Sequence, residues 1–275
     1  MENNKQYMIE CCPYYEMNCD FSKCECAKYK AYKQVKDKDW VNKQIESMGL
    51  DFTLDPFNLL LNMQKQFCSK FHKIDGLNKQ EQDHWINAYL VCIEDECREV
   101  REFLDIYPDQ ICKKYTCENW KKELKKEAID ILHFVMDTFL SGQAKFEDIK
   151  SNYLKYHTKF ILDVEDLLSF AFENQKAYIQ YNFKNYDLEN ELDLIILLIV
   201  NKILDNNSEI RQCISWKHWK KPTDNINYEK LYIAYSNMFA NLINLFCILG
   251  MTAEEVKQTY IEKNMENVAR QLFGY

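Results

Sequence analysis

Two short acidic pairs hold the densest chemistry in this sequence: Glu96 with Glu99, and Glu127 with Asp130. In each pair the carboxylates stand three residues apart, so on a helix both project from one face. Two such helices side by side would converge all four acids on one spot. Carboxylates held that close repel one another, and either take up protons or recruit a hard cation such as Mg²⁺. Cations of this kind handle phosphates. The plainer reading is two solvated helix faces, since acids are common on helix surfaces. Glu127 and Asp130 run straight into Ile131-Leu132-His133-Phe134-Val135-Met136. That places them on a helix expected to be largely buried, where acids need a partner or an ion.

Three further groups could do chemistry. Near the C-terminus, Lys263, Asn264, Asn267 and Arg270 recur at helical spacing. Such a row could bind phosphate oxygens, Lys as a mobile point charge and Arg as a planar fork, or it could be an ordinary charged terminal helix. In Trp216-Lys217-His218-Trp219-Lys220-Lys221, aromatics beside cations could flank a nucleobase and its phosphates, or be a packed Trp pair with solvated lysines. Cys11, Cys12, Cys19, Cys24 and Cys26 crowd the N-terminal segment. Four of them, Cys11, Cys19, Cys24 and Cys26, could make a tetrahedral Zn²⁺ site. Their spacing contains no C-x-x-C knuckle, so free thiols and a redox or cluster role stay open beside zinc. His157 and His218 read as packed or solvated histidines.

Helices must position these groups. Glycine (5) and proline (4) are scarce among the 275 residues, which disfavours turn-rich and sheet folds. The net charge of −8 offers no electrostatic footprint for nucleic acid or an anionic membrane. The polar N-terminus shows no signal peptide, and the apolar run Leu194–Val200 is too short to span a bilayer. Twelve cysteines in such a chain suggest reduced thiols and a cytoplasmic location. Asp55-Pro56 predicts an N-cap with Pro at the first helical position. The polar segment 72–83 predicts a loop. Helices are expected over about 85–104 and 120–140, carrying the two acidic pairs, then over 145–160, 163–180, 188–204, 227–249 and 252–270.

A repeat runs through this pattern. At an offset of 107 residues Phe139 meets Phe246, Glu147 meets Glu254, Lys150 meets Lys257 and Tyr153 meets Tyr260. In that register Glu127 and Asp130 fall on Ala234 and Asn237. The segment Asn206-Asn207-Ser208-Glu209 is the counterpart of the first acidic pair. The expectation is an all-α bundle of two degenerate repeats, over about 85–160 and 190–275, within a domain 51–275 behind a Cys-rich extension 1–50.

Taken together these elements resemble the dimeric dUTPases, part of an all-α nucleotide pyrophosphatase superfamily that includes the MazG-like enzymes. The superfamily is marked by E-x-x-E, a spacer and E-x-x-D, matched here by Glu96, Glu99, Glu127 and Asp130. A more specific signature, Y-x-x-K-N-x-x-N-x-x-R-Q-x-x-G-Y, is matched throughout by Tyr260, Lys263, Asn264, Asn267, Arg270, Gln271, Gly274 and Tyr275. The W-K-x-W-K element also recurs in the family. The resemblance covers roughly 55–275. It implies that the four acids hold two or more Mg²⁺ ions, that Glu96 or Glu99 handles the attacking water, and that Lys263, Asn264, Asn267, Arg270 and Tyr275 hold phosphates. It implies that Gln64, His133, Phe134, Trp216 and Trp219 border the nucleoside. Two departures stand out. Cys68 occupies a position where the family often has Asn or Asp, which leaves the base open. The tryptophan element follows the second-half counterpart of the first acidic pair, where many relatives have it directly after that pair itself.

The function so implied is Mg²⁺-dependent hydrolysis of dUTP to dUMP, with dUDP left open as a further substrate. The alternatives are a MazG-like pyrophosphatase for another nucleotide and a non-catalytic nucleotide-binding regulator. The expected partners are a small-molecule nucleotide, a second copy of the chain and an unknown contact for the Cys-rich segment, with no nucleic acid and no membrane.

Overall fold

The computed structural model describes residues 27–105, 117–158, 164–186, 191–217 and 225–273. Every regular element among them is a helix, so the protein is all-α. In chain order the helices are α1 (Ala27–Lys36), α2 (Lys38–Ser47), α3 (Pro56–Cys68), α4 (Lys79–Asp105) and α5 (Cys117–Ser141). They continue with α6 (Phe146–His157), α7 (Leu167–Asn182), α8 (Leu192–Gln212), α9 (Tyr228–Ile248) and α10 (Ala253–Leu272). The chain divides into a large unit, Phe52–Tyr260, and a small one that joins Met1–Asp51 to Ile261–Tyr275. In the small unit α1 packs on α2, whose N-cap Asp37 accepts from the backbone N–H of Asp39 and Trp40.

In the large unit α4 pairs with α5 and α8 pairs with α9, with α4 also against α8 and α5 against α9. The predicted cap is present: Asp55 Oδ1 accepts from Phe57 N (2.8 Å) and Asn58 N (3.3 Å), with Pro56 opening α3. Its other oxygen accepts from Leu167 N at 2.6 Å, which ties the start of α3 to the start of α7. The expected loop over 72–83 is cut short. Helix α4 begins at Lys79, because Asn78 and Glu81 exchange hydrogen bonds (2.8 and 3.0 Å) that cap it before the aromatic run.

The core is aromatic. Phe57 meets Phe239 with ring centroids 4.7 Å apart, and Phe139 meets Tyr235 at 4.7 Å. Both pairs join an N-terminal helix of the unit to α9, and all four side chains are buried. Helix α9 is long and apolar enough to cross a membrane by length and composition, but 67% of its apolar window is buried, as a core helix requires.

The turns after α5 and α9 carry the same hydrogen bonds 107 residues apart. Ala144 N donates to Phe139 O at 2.9 Å, and Met251 N to Phe246 O at 2.9 Å. Asp148 Oδ2 accepts from Lys145 N (2.9 Å) and Glu255 Oε2 from Thr252 N (2.8 Å). Both turns need one residue at positive φ, Gln143 (56°) and Gly250 (68°). Glycine adopts that conformation at little cost. Gln143 is held there by its carboxamide, which donates to Ile74 O (2.9 Å) and accepts from Gly76 N (3.2 Å).

Candidate active site

The site is built from two stripes. On α4, Trp85, Tyr89, Cys92, Glu96 and Glu99 follow one another at spacings of three and four, the repeat of one helix face. On α5, Glu127, Asp130, Phe134 and Asp137 do the same. Each stripe has an acidic end and an aromatic or hydrogen-bonding end, and the two helices pack together.

At the acidic end, one carboxylate oxygen from each of Glu96, Glu99 and Glu127 lies within 4.8 Å of the others, all three side chains half-buried. Burial raises the Glu99 pKa, and the charges of Asp95, Glu102 and Asp130 push it the same way while Arg98 opposes them. Arg98 sits 3.5 Å from Glu99 but also clamps Asp95 and Glu102 on the outer face. Three converging oxygens on two rigid helices, in a surplus of negative charge, match the hard-oxygen set that Mg²⁺ takes with water completing its shell. Asp130 adjoins the group through its effect on Glu99, and its Oδ1 lies 3.8 Å from His133 Nδ1.

At the other end His133 is buried, and its Nδ1 faces Ile129 O at 3.0 Å. A carbonyl only accepts, so Nδ1 carries the proton. The imidazole stacks on the Tyr260 ring, with centroids 4.1 Å apart and planes 11° apart. The Tyr260 hydroxyl donates to Gln64 Oε1 at 2.6 Å, and Gln64 Nε2 donates to Asp137 Oδ1 at 2.9 Å. The Cys68 thiol donates to the same Asp137 oxygen at 2.8 Å. Full burial raises the Asp137 pKa from 3.8 to about 7, against the two hydrogen bonds that lower it. Burial and the Asp137 charge both push the Cys68 thiol far up, so it stays protonated as a donor. Beside this network Phe134 lies 6.3 Å from Tyr89, Tyr89 5.9 Å from Trp85, and Trp85 stacks 4.1 Å from His72. Tyr89 also hydrogen-bonds His72 Nε2 at 3.0 Å.

Residues 56–275 match a family model described as dUTPase. The chain belongs to the dUTPase family. A dCTP pyrophosphatase of Enterobacteria phage LZ5 is 36% identical over 81 residues, a stretch covering 26% of this chain and 47% of the phage protein. The aligned stretch thus spans about half the length of that curated relative. No solved structure matches the chain.

Within this dUTPase-family chain, Glu96, Glu99 and Glu127 come together, while Asp130 stands outside that group, beside His133 on α5, the helix that also carries Phe134. Gln64 is deeply buried (1% exposed), with its carboxamide engaged on both sides by Tyr260 and Asp137. Trp216 is half-buried under Arg211, whose guanidinium lies 5.6 Å from the ring. Arg211 in turn binds Glu94 (2.7 Å) and Asn87 (3.2 Å) of α4. Lys263, Asn264, Asn267 and Arg270 lie on the part of α10 that belongs to the small unit. There Asn264 is buried and Arg270 pairs with Glu266 at 2.5 Å. Trp219, Tyr275 and the cysteines Cys11, Cys19, Cys24 and Cys26 fall outside the described residues, as does His218. His157, read from the sequence as packed or solvated, is packed: it stacks on Tyr153 at 5.1 Å, and burial lowers its pKa.

Motif reading passes over Asp137, Tyr89, Trp85 and Cys92. The signal was present: each continues an acidic pair at the same three-and-four spacing, along α4 toward its start and along α5 toward its end.

Proposed function

We propose that this protein hydrolyses dUTP to dUMP and pyrophosphate with Mg²⁺ held on Glu96, Glu99, Glu127 and Asp130. The observation that carries the reading is the approach of three carboxylate oxygens within 4.8 Å at one end of paired stripes whose other end is aromatic and hydrogen-bonding. A triphosphate and a nucleoside need those two environments in that order. Mg²⁺ bound there would supply charge neutralisation at the phosphate oxygens. Glu96 or Glu99 orients the attacking water and accepts its proton, as water oxygen bonds to phosphorus and the bond to the departing phosphate oxygen breaks. Lys263, Asn264, Asn267, Arg270 and Tyr275 hold the phosphates by family resemblance. Tyr89, Phe134 and His133 border the nucleoside, and Trp216 and Trp219 stand as its aromatic flank. Asp137 keeps Gln64 fixed, so it is a positioning residue.

A second reading, a dCTP pyrophosphatase like the named phage relative, has one observation in its favour. Cys68, a thiol donor, stands where the family often has Asn or Asp, and it is bound to Asp137. Purified protein with Mg²⁺ and a panel of dUTP, dCTP and dATP separates the two: dUMP released fastest supports the first reading, dCMP the second. Release from none would refute both. Glu127→Gln, half-exposed and shape-conserving, should cut turnover on the order of 100-fold or more while leaving the fold intact.

A further inference from the structure

The large unit contains a polar cavity of about 650 Å³ between α6, α7, α8 and α9, remote in sequence from the acidic pairs. Its wall is made largely of carboxamides, Asn206, Asn237, Asn241 and Asn244 among them, with Gln175 and Lys202, and it includes no Asp or Glu among the described residues. At the 107-residue offset Asn206 stands for Glu99, Asn237 for Asp130 and Asn241 for Phe134. Asn237 is an uncharged isostere of its acidic counterpart. Gln175 mirrors Gln64 in its contact: Gln175 Nε2 donates to the Tyr153 hydroxyl at 3.0 Å, while Gln64 accepts from Tyr260, the repeat partner of Tyr153. The caps agree, since Asp55 starts α3 and Asp166 starts α7, nine residues before Gln64 and Gln175 respectively. The cavity thus lies at the second-half counterpart of Glu99 and Asp130, with carboxamides in place of those two acids.

Without carboxylates this wall offers a hard cation no anionic ligand, and a Mg²⁺-triphosphate would find no counterpart for its ion. Carboxamides present paired donors and acceptors, the pattern on the edge of a nucleobase. Asn244 is only 4% exposed, lines the cavity, and its Oδ1 accepts from no described residue. A buried acceptor without a donor is costly to keep. Tyr178 and Tyr181 stand exposed at the mouth as stacking surfaces, and Lys202 Nζ lies 3.3 Å from the Tyr178 hydroxyl as the cation available to one phosphate.

We infer that this cavity is a second, metal-independent site for a nucleoside or its 5′-monophosphate. The inference rests on the reading of the first site as a nucleotide site. Full-length protein in EDTA is titrated calorimetrically with deoxyuridine and, separately, with dUMP. Ala177→Trp, an exposed lining position, plugs the mouth, and Asn244→Leu removes the buried acceptor. The expected result is loss of one equivalent of bound deoxyuridine in Ala177→Trp, and at least a ten-fold weakening of that equivalent in Asn244→Leu. Tighter dUMP binding abolished by Lys202→Met assigns the monophosphate, and equal binding assigns the nucleoside. Equal stoichiometry and affinity in wild type, Ala177→Trp and Asn244→Leu would overturn the proposal, as would no deoxyuridine binding by wild type. Hydrolysis of dUTP with Mg²⁺ by Ala177→Trp is measured in parallel and should match wild type. If wild type hydrolyses no dUTP while the plug still removes an equivalent, the proposed function fails and the second site stands.

Discussion

Replacing Asp137 with Asn should flatten a pH dependence of stability that wild type carries. In the folded protein burial raises the Asp137 pKa from 3.8 to about 7. Between those values the native state keeps a proton that the unfolded chain has released. With more protons bound in the native state, stability falls as pH rises through the window. Over pH 5 to about 7 each unit is worth about 1.4 kcal/mol, so the site contributes a loss of about 3 kcal/mol by pH 8. Asn retains the Oδ1 that accepts from Gln64 and Cys68 and removes the ionisable group. Urea unfolding at pH 5 and pH 8 for both proteins gives the test, because other titrating groups cancel in the comparison. Asp137→Asn should hold its stability better by about 3 kcal/mol across that span and be the more stable protein at pH 8. Parallel losses in the two proteins would refute the reasoning, because Asp137 would then not be the buried acid that the hydrogen bonds describe.

Four further outcomes are expected. Tyr260→Phe removes the 2.6 Å donor to buried Gln64 and should cost about 1–2 kcal/mol, read as a fall in melting temperature of roughly 2–8 °C. Gly142→Ala should cost about 1–3 kcal/mol in chemical denaturation, because an added Cβ would meet the hydroxyl of Tyr235, which is buried and donates to Thr138 O at 2.6 Å. Gly250→Ala meets open space and should lose only about 1 kcal/mol from its positive φ, so it serves as the comparison in the same assay. Arg211→Met should loosen the junction of α4 and α8 by about 1–3 kcal/mol in the same denaturation assay, since it removes the 2.7 Å pair with Glu94 and leaves the methylene packing.

The helices were legible because their causes are local. Scarce glycine and proline, the Asp55-Pro56 cap and the apolar spacing of α5 and α9 all act within a few residues. The acidic cluster was legible for the same reason, since each pair is an i, i+3 arrangement. The start of α4 was missed by six residues, because the Asn78–Glu81 capping exchange outweighs the polar composition of 79–84. Asp137 was missed because its meaning depends on partners 69 and 73 residues away in the chain. Nothing local distinguishes an Asp at the end of a buried helix from a solvated one until Gln64 and Cys68 stand against it.

The same contrast explains why a duplicated unit would lose one set of acids and keep its carboxamides. Burial first, and then the charges of Asp95, Glu102 and Asp130, raise the proton affinity of Glu99, so half-buried carboxylates brought together carry a cost. A second cluster would add the same cost in the second half of the unit. Carboxamides at Asn206 and Asn237 keep similar shape and hydrogen-bonding capacity without the repulsion. They also pair with one another and their neighbours, as Asn241 does with Asn206 at 2.8 Å. The network at Tyr153 and Gln175 survives because it serves packing in both halves. The charge survives only in the first half, where α4 and α5 bring three carboxylate oxygens within 4.8 Å of one another.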